Sequence, residues 1–364
     1  MHIGPRHGVP YPTHRSARPL VSDDMDDGAG DDLKAPGTAP GSHATDSLTS
    51  LSPLQRKTLS VLRRTSEPVE FSADFVDDLL DSVNEAFGAF HDRIALAQPG
   101  GEITATTERI FVSKYSVAGV LGCEVQHLHD DGFQWSPANA GGQIAHRAIQ
   151  LMLNWPGEPV PAQLVGEAIA RLTDGDNSLA DWLAGMTDAD VADLRSIAVD
   201  KVAKFQECFP PLPVSAAPRT ETRVSWPTDG PIVLSGKYDL VLGRPNGRES
   251  TKVIIDLKTG WSNTRHREDL RFYALVETLR SEVPPRKLAS FYLDSGDPVV
   301  EDVSEATLRT AARRTLDAIH AEIELRFEGR HPVKRAGTPC RWCPIASDCE
   351  VGIDYLRQQR IHSE

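Results

Sequence analysis

The chain has 364 residues, of which 40% are hydrophobic and 25% are charged, and its formal net charge is −13. These values are typical of one large or two modest globular domains. No run of about 18 apolar residues occurs, which excludes a membrane-spanning helix, and the first residues lack the apolar core of a signal peptide. We therefore expect a cytoplasmic protein without a membrane partner.

The excess negative charge is concentrated in the first part of the chain. Residues 1–219 contain 17 Lys and Arg against 30 Asp and Glu, whereas residues 220–364 contain 22 of each. A run of six aspartates between positions 23 and 32 accounts for part of the excess. Because the second part is neutral, the acidity of the whole chain neither supports nor excludes a nucleic-acid partner.

The first 109 residues divide into a tail and a helical part. Residues 1–50 are rich in Gly, Pro, Ser and Asp and lack aliphatic periodicity, which predicts a disordered acidic tail. Residues 51–109 predict N-terminal helices. Ser52-Pro53 opens a short one and Ser72 precedes a longer one with apolar residues at helical spacing.

The next helices carry a cysteine and a histidine. Ser116 is a suitable N-cap for a helix in which Cys123 lies one or two turns from the start. Taken alone, Cys123 is typical of a small buried apolar residue. Gly141-Gly142 opens a second helix that carries His146, and a single helical histidine is usually structural or solvated. Helical periodicity with Pro and Gly breaks continues over residues 156–213.

The pattern changes to strands between residues 219 and 303. Apolar runs bounded by turn residues predict a sheet there, and a helix capped by Ser304 follows it. The predicted strands are 221–226, 232–242, 252–258, 288–293 and 298–303, with an amphipathic helix over 265–279. Strands and helices in this order predict an α/β fold.

Two of these strands form a predicted hairpin that gathers two acids and a lysine. Asn246-Gly247 lies between the apolar runs, and this dipeptide is typical of a two-residue turn. With that turn centre, Asp239 faces Ile254 and has Asp256 as its diagonal neighbour, at about 7–8 Å. Asp256 and Lys258 share one face, because side chains alternate along a strand.

These three groups fit a metal-assisted phosphodiester hydrolase. A buried carboxylate is costly unless it is paired or binds a cation, and neighbouring carboxylates repel each other unless a cation lies between them. Magnesium prefers carboxylate oxygens together with water and phosphate oxygens. A nearby ammonium can then position the attacking water. The alternative for an Asp-x-Lys sequence alone is an ion pair at a strand end.

Five cysteines are an odd number for a disulfide framework, and in a chain without an export signal they favour metal or redox chemistry. Cys340, Cys343 and Cys349 form a compact C-x2-C-x5-C group that needs a fourth ligand. Structural zinc with Cys123 or His331 and an iron–sulfur cluster are both consistent with three thiolates. Cys208 fits no metal spacing.

The segments G-K-Y-D (236–239) and I-I-D-L-K-T-G (254–260) resemble the core of the PD-(D/E)XK nucleases, in particular the RecB-like exonuclease branch. The resemblance covers about residues 110–350 and implies a nuclease domain over residues 110–355. It implies a restriction-endonuclease-like α/β fold, with a mixed sheet flanked by helices, a helical insertion at about 156–213 and a sheet over about 219–303. It also implies a helical N-terminal part and a C-terminus clasped by the cysteines at 340–349.

The resemblance implies a role for each matched residue. Asp239, Asp256 and His146 would hold Mg²⁺ or Mn²⁺, and Lys258 would orient or activate the attacking water. The division into one early and three late cysteines is similar to that of the iron–sulfur RecB-like nucleases, and favours a 4Fe–4S cluster over structural zinc. Its ligands would be Cys123, Cys340, Cys343 and Cys349.

Further residues are predicted to contact the substrate. The family commonly has Gln-x-x-x-Tyr after the sheet, where Tyr273 matches but Asp269 stands at the glutamine position. Glu221 is either an accessory acid or a solvated strand residue. Trp342 either stacks on a base or shields the cluster. Candidate phosphate contacts are Lys237, Arg265, Arg267 and Arg271.

Together these roles predict a metal-dependent DNA nuclease. The family implies an exonuclease on single-stranded DNA ends, active in DNA repair, recombination or phage- or CRISPR-related processing, with a helicase or CRISPR adaptation proteins as partners. The alternative is a non-catalytic DNA-binding or assembly subunit that keeps the fold and the cluster. The presence of both acids and the lysine argues against that alternative, and Asp269 argues for it.

Overall fold

The computed structural model describes residues 51–63, 69–104, 106–129 and 134–361. The predicted acidic tail, residues 1–50, lies outside them. None of the described helices is long and apolar enough to cross a membrane. The helices are α1 (Pro53–Leu62), α2 (Ala73–Leu96), α3 (Lys114–Gly122), α4 (Glu124–Leu128), α5 (Pro137–Met152), α6 (Pro161–Thr173), α7 (Ser178–Ala184), α8 (Asp188–Cys208), α9 (Thr264–Ser281), α10 (Glu305–Arg326) and α11 (Glu350–Ile361). The strands are β1 (Ile110–Val112), β2 (Arg219–Trp226), β3 (Ile232–Leu242), β4 (Val253–Lys258), β5 (Lys287–Tyr292) and β6 (Asp297–Asp302).

The strands of the described chain form one mixed sheet around the long strand β3. β2 runs antiparallel along one edge of β3. On the other edge, β1 runs parallel to β3 as far as the pair Val112–Leu234, and β4 runs antiparallel to it from the pair Ile255–Leu240. β5 and β6 continue the sheet beyond β4. Between Leu234 and Leu240, therefore, neither β1 nor β4 pairs with this edge of β3.

Helices pack on both faces of the sheet and form two apolar cores. Ile254 of β4 belongs to the core with α2, α3, α9 and α10, whereas Val253, Ile255 and Leu257 belong to the core with α5, α6 and α8. A strand buried on both faces must be apolar almost throughout, as V-I-I-D-L-K is. The predicted fold class, a mixed sheet flanked by helices, is confirmed. At the gap beside β3, side chains from both layers meet.

The first helix near the gap differs from the prediction. α3 begins at Lys114, because Ser113 rather than Ser116 is the N-cap, and the Ser116 N–H donates to Ser113 Oγ at 3.2 Å. It directly follows β1, a strand that the sequence analysis missed. Cys123 is not inside this helix. It lies in extended backbone between α3 and α4, after Gly122, a residue type with low helix propensity.

The helix that carries His146 begins earlier than predicted, at Pro137. Ser136 caps it, and proline is favoured in the first turn. Gly142 therefore lies inside the helix, where a Cβ would be only 3.2 Å from Thr259 Oγ1. The absence of a side chain lets α5 approach the loop after β4 closely. His146, one turn further on, is thereby fixed next to the end of β4.

The turn of the β3–β4 hairpin is shifted by one residue from its predicted position. The Glu249 N–H donates to the Asn246 carbonyl at 3.0 Å, so the two central turn residues are Gly247 and Arg248. Gly247 adopts φ +56°, a conformation that glycine reaches without steric cost. The predicted centre, Asn246-Gly247, was wrong because glycine takes the first central position.

This shift changes the pairing of the two acids. The last paired residues are Leu240 and Ile255, so that Asp239 and Asp256 stand opposite each other one step further on. The prediction that Asp239 faces Ile254, with Asp256 as a diagonal neighbour, was wrong by two residues. Beyond the last pair the strands separate, and the Leu257 N–H of β4 donates to the Asp239 side chain instead.

A buried ion-pair network connects α9 with the residue that precedes β4. Glu277 is 1% exposed and forms ion pairs with Lys252 and Arg280, and the Tyr238 hydroxyl donates to it at 3.3 Å. Burial alone would raise the pKa of Glu277, but the hydrogen bonds from Lys252 and Arg280 outweigh it and lower the pKa. The carboxylate is therefore charged in the folded chain.

We expect Glu277→Gln to lower the free energy of unfolding by about 3 kcal/mol at neutral pH, because buried Lys252 loses its counter-charge. Since the pKa of Glu277 is lower in the folded chain than in the unfolded chain, this stabilisation is present above its unfolded pKa and is lost as the pH falls through its folded pKa. Urea unfolding at two pH values measures both effects. Exposed Glu85→Gln is the control, with a change below about 0.5 kcal/mol, and an equal effect of both variants would contradict the prediction.

Candidate active site

Asp239 marks the point where β3 and β4 separate. The Leu257 N–H donates to Asp239 Oδ2 at 2.8 Å, so the side chain accepts a β4 backbone hydrogen bond just beyond the last paired residues. The other carboxylate oxygen, Oδ1, lies 3.5 Å from His146 Nδ1. Asp239 is thus fixed by the strand that carries Asp256 and faces the helix α5.

Glu221 stands opposite Asp239 on β2. β2 and β3 pair in the same register before and after this position, but Glu221 and Asp239 themselves are not paired. Here Glu221 adopts φ +51°, in the left-handed region that is uncommon for a residue with a side chain. Backbone strain of this kind is concentrated at functional sites. The Glu221 carboxylate forms an ion pair with Lys237 and lies 3.9 Å from His146 Nδ1.

The three residues His146, Glu221 and Asp239 form a cluster of metal-ligand type. One ligand atom from each lies within 4.8 Å of the others, and all three side chains are partly exposed. The chain brings them together from α5, β2 and β3. The sequence analysis had placed His146 and Asp239 in such a cluster with Asp256, and had left Glu221 undecided.

Asp256 lies beside this cluster, between two lysines. It is 2% exposed, and its Oδ1 is 3.0 Å from Lys114 Nζ while its Oδ2 is 2.7 Å from Lys258 Nζ. Each carboxylate oxygen of Asp256 therefore has one ammonium partner, as a buried carboxylate requires.

Lys114 is a site residue that the sequence analysis missed. It is 9% exposed, and its ammonium lies 4.9 Å from the centre of the Tyr273 ring and 5.2 Å from that of Tyr115. Lysine is rarely buried without a partner. The one available signal was that it is the single charged residue in the otherwise uncharged stretch 110–123.

The charges of the site hold each other in their ionised forms. Burial alone would raise the pKa of Asp239, but His146, Lys114 and the Leu257 N–H lower it to about 2. Burial alone would lower the pKa of His146, yet Asp239, Glu221 and Asp256 raise it. The pKa of Lys258 is raised in the same way, against burial, chiefly by Asp256.

The two residues of the predicted substrate contact after the sheet lie below the site surface. Tyr273 is 3% exposed, packs edge-on against Tyr238 and supports Lys114. Asp269 lies 3.4 Å from Lys258 Nζ. This ion pair gives Asp269 a supporting position beside Lys258.

The predicted phosphate contacts differ in how far their charges are neutralised. Arg271 forms a two-pronged ion pair with Glu301 and a further one with Glu268, so its charge is compensated within the protein. Lys237 is paired with Glu221. Arg267 is largely exposed and lies 3.6 Å from Glu301, and Arg265 lies on the exposed side of α9.

A cavity of about 200 Å³ adjoins the site between α3, α9 and α10. Lys114 and Asp269 form its border with the site, and Arg265 and Arg314 lie at its other walls. The apolar part of its lining, named its floor, consists of Val117, Ala118, Leu121, Phe272 and Ala311. Six of its thirteen lining residues are charged, four of them basic and two acidic, so the cavity combines apolar and charged groups.

The sequence pattern of the PD-(D/E)XK nuclease superfamily matches residues 112–350, about two thirds of the chain. The chain belongs to this superfamily. Its members are nucleases that generally use divalent metals, which agrees with the carboxylate and histidine cluster, and the fold implies DNA as the substrate.

The other comparisons add little to this assignment. No curated protein matches this nuclease in sequence. The crystal structure of the protein SSO0001 is 13% identical over 76% of this chain and 96% of its own, with a TM-score of 0.29. A candidate exonuclease from Eubacterium rectale is 12% identical over 69% of this chain and 94% of its own, with a TM-score of 0.41. The assignment rests on the superfamily match.

The nuclease domain also brings its four predicted cluster cysteines together. Cys123, Cys340, Cys343 and Cys349 line one small pocket, with Gly352 of α11 against them. Burial raises the pKa of the Cys343 thiol, and the three other thiols raise it further. Cys208 lies at the end of α8 and does not line this pocket.

The spacing of the sulfur atoms bears on what this pocket can hold. Within the described chain, no three of the cysteine sulfurs lie within 4.8 Å of one another. A tetrahedral zinc ion with Zn–S bonds of about 2.3 Å places its sulfurs about 3.8 Å apart. His331, the alternative zinc ligand, does not line the pocket. The sulfur atoms are thus spaced more widely here than in a tetrahedral zinc site.

Contacts other than the cysteines hold the segment after α10 against α3 and α4. Arg330 forms a two-pronged ion pair with Glu124 at 2.9 Å for both contacts, and the Val333 N–H donates to Glu124 at 2.8 Å. Arg335 donates from its guanidinium to the Leu121 carbonyl at 2.8 Å, near the end of α3. We name residues 330–335 the strap. It carries the chain from α10 to the cysteine pocket.

Proposed function

We propose that this protein is a metal-dependent deoxyribonuclease of the RecB-like branch that removes nucleotides from single-stranded DNA ends. The observation that carries the proposal is the convergence of His146, Glu221 and Asp239 within 4.8 Å beside the Asp256–Lys258 pair. An ordinary ion pair between Asp256 and the two lysines would not require His146, Glu221 and Asp239 nearby. A bound divalent ion would explain why these three side chains converge there.

The residues fit Mg²⁺ or Mn²⁺ as the bound ion. Carboxylate oxygens and one imidazole nitrogen are suitable ligands, and Mn²⁺ accepts the nitrogen readily. His146, Glu221 and Asp239 would hold the ion, and Asp256 Oδ2 would complete the set from the β4 side. When bound, the ion supplies an activated water and stabilises the negative charge that develops on the phosphate.

Lys258 acts in this scheme as a fixed positive charge. Its raised pKa keeps it protonated at neutral pH, so it does not serve as a general base. Asp256 and Asp269 hold the ammonium from two sides, at 2.7 and 3.4 Å. From there it orients the attacking water and balances charge on the phosphate oxygens.

Lys114 has a different role, since it contacts Asp256 from the side opposite to Lys258. Its ammonium offsets the charge of the Asp256 carboxylate in the absence of metal and DNA, and the Tyr273 ring beside it limits its movement. It also borders the 200 Å³ cavity. In this position Lys114 is suited to contact the phosphate of a nucleotide that enters the cavity.

The cavity supports an exonuclease rather than an endonuclease. A terminal nucleotide can place its base against the apolar floor and its phosphate near Lys114 and Arg265. A duplex cannot present an unpaired base there without opening, which favours single-stranded ends. A partner that supplies such ends, for example a helicase or a CRISPR adaptation complex, would suit this activity in DNA repair or recombination.

The cysteine pocket supports the RecB-like branch with a 4Fe–4S cluster. Four thiolates are the usual ligands of such a cluster, and the sulfur spacing is wide for zinc. Bound there, the cluster would connect α11 and the C-terminal turns to the junction of α3 and α4. Because α3 begins with Lys114, this connection also stabilises one wall of the active site.

The test of the proposed function is degradation of end-labelled DNA. Single-stranded and duplex substrates are incubated with the full chain and Mg²⁺ or Mn²⁺, and products are resolved by length. Release of single nucleotides from single strands, abolished in Asp256→Asn, supports the proposal. Binding without degradation under all these conditions would instead support the non-catalytic alternative.

The affinity for Mn²⁺ is expected to fall as the pH is lowered. Metal binding requires neutral His146, but the acids around it raise its pKa, so the proton competes with the ion up to a higher pH than at an isolated histidine. Below that pKa we expect about a tenfold loss of affinity per pH unit, whereas Asp239, with a pKa of about 2, stays ionised. Titration of free Mn²⁺ by electron paramagnetic resonance measures this. His146→Ala should bind more weakly and lose the slope, and a slope retained in that variant would contradict the prediction.

A further inference from the structure

Trp261 protrudes from the loop between β4 and α9. It is 94% exposed, the highest value among the large apolar side chains of the described residues. Tryptophan is highly buried on average. The neighbouring residues from Gly260 to Arg265 are also exposed, so the rest of the loop does not bury the Trp261 ring.

The loop that carries Trp261 is anchored on both sides. Before it, Thr259 packs against Gly142 of α5, and the Gly260 N–H donates to the Asp294 carboxylate. After it, the Asn263 side chain accepts a hydrogen bond from the Arg265 N–H at 3.0 Å and begins α9. Only two residues lie between these anchors. The ring is therefore held out from a fixed backbone, which lowers the entropy that is lost when a partner binds.

The same anchors place Trp261 beside the active site. It follows Lys258 by three residues, which limits the distance between their Cα atoms to about 11 Å. Lys258 itself contacts Asp256 at 2.7 Å. A strand whose scissile phosphate lies at Lys258 therefore has a base within reach of the Trp261 ring.

We propose that Trp261 is a stacking platform for an unpaired base next to the scissile phosphate. This inference rests on the proposed function and adds the element that selects single strands. Every base has a flat face that an aromatic ring can stack on, whereas bases in a duplex are already stacked on each other. The platform thus binds single-stranded DNA of any sequence.

The charges near Trp261 favour a nucleic acid over an apolar protein partner. Arg265 and Arg267 are exposed on the first turn of α9, directly after the loop. Lys258 lies on its other side, and its raised pKa keeps it charged. Cationic groups on both sides of an exposed aromatic ring match a strand of alternating bases and phosphates.

The inference is tested by DNA binding without added divalent metal, so that binding is measured apart from cleavage. The dissociation constant of the full chain for a labelled thymidine strand is compared in wild type, Trp261→Ala and Trp261→Phe by fluorescence anisotropy. We expect Trp261→Ala to raise it about tenfold and Trp261→Phe to raise it less than about threefold. Affinity for a blunt duplex should change less than about twofold.

Two controls separate stacking from other effects. Leu96→Ala removes another exposed large apolar side chain, 80% exposed at the end of α2, and should leave the affinity unchanged. A strand of abasic sugars should bind wild type and Trp261→Ala equally, because it has phosphates but no bases. Loss of abasic binding in Trp261→Ala would overturn the inference.

The failure of this inference is distinguishable from failure of the proposed function. If wild type and Trp261→Ala bind the thymidine strand equally, the platform is contradicted, and the exposed ring belongs to a protein contact instead. If wild type binds no DNA at all, the nuclease proposal and the inference fall together.

Discussion

Asp256→Asn is expected to lower the rate of DNA degradation by about 1,000-fold or more at saturating Mg²⁺ or Mn²⁺. The carboxylate is the one group that contacts both site lysines, at 3.0 and 2.7 Å, and it faces the His146–Glu221–Asp239 cluster. Weaker metal binding and misplacement of Lys258 follow from the same change. A loss of about 4 kcal/mol of transition-state stabilisation, which is within the range for metal assistance, corresponds to this factor.

The control for this variant is Asp302→Asn. Asp302 is also an aspartate of the sheet that pairs with a lysine, but it is 80% exposed and lies at the end of β6. The Asp302→Asn variant should retain full nuclease activity. Because Asp256→Asn leaves buried Lys114 without its counter-charge, its unfolding temperature is measured in parallel. Full activity in a folded Asp256→Asn would contradict the proposed mechanism.

Two further variants separate the roles of the lysines. Lys258→Ala removes the charge that orients water, whereas Lys114→Met keeps the length of the side chain and removes only its charge. We expect Lys258→Ala to lose cleavage with little change in DNA binding. Lys114→Met should lose affinity for DNA ends as well, since Lys114 borders the cavity.

The second large effect is expected from the cysteine pocket. Cys343→Ser should abolish the visible absorbance of iron–sulfur thiolates, reduce bound iron and lower the unfolding temperature by about 10 °C. The reason is that two segments distant in sequence, the one around Cys123 and residues 340–349, lose their common attachment. A loss of about 4 kcal/mol shifts the melting of a domain of this size by about that much. Absorbance, metal analysis and calorimetry of the purified protein measure the three quantities.

Cys208→Ala is the matched control for this change. Cys208 is a buried free cysteine outside the pocket, so its replacement should leave colour and iron content unchanged. Zinc in place of iron in the wild-type preparation would contradict the cluster but not the pocket. Equal colour and iron in Cys343→Ser and wild type would contradict both.

The parts of the site that are near each other in sequence could be predicted, because strand geometry alone relates them. Asp256 and Lys258 share a face as expected and form an ion pair. Asp239 was also expected near Asp256, although the pairing came out two residues away. The turn centre decides the register, and glycine can take either central position of such a turn, so the sequence leaves this choice open.

The remaining parts depend on contacts that a linear sequence does not express. Lys114 reaches Asp256 across 142 positions of the chain. The position of the Glu221 side chain in the cluster depends on a local backbone distortion opposite Asp239. Conversely, the sequence predicted Arg271 as a phosphate contact, but Glu301, 30 positions later, neutralises its charge. Each of these outcomes is set by which helix packs on which strand, and the fold class alone does not specify that.

The strap has a consequence for how this protein is assembled. Arg330 and Arg335 fix residues 330–335 to α3 and α4 through Glu124 and the Leu121 carbonyl, and the Arg335 N–H also donates to Cys123 Sγ at 3.4 Å. These contacts of the polypeptide therefore place Cys340, Cys343 and Cys349 next to Cys123. Under the proposed function, an apoprotein that already has its final shape would receive the cluster afterwards, as the closing step of biogenesis.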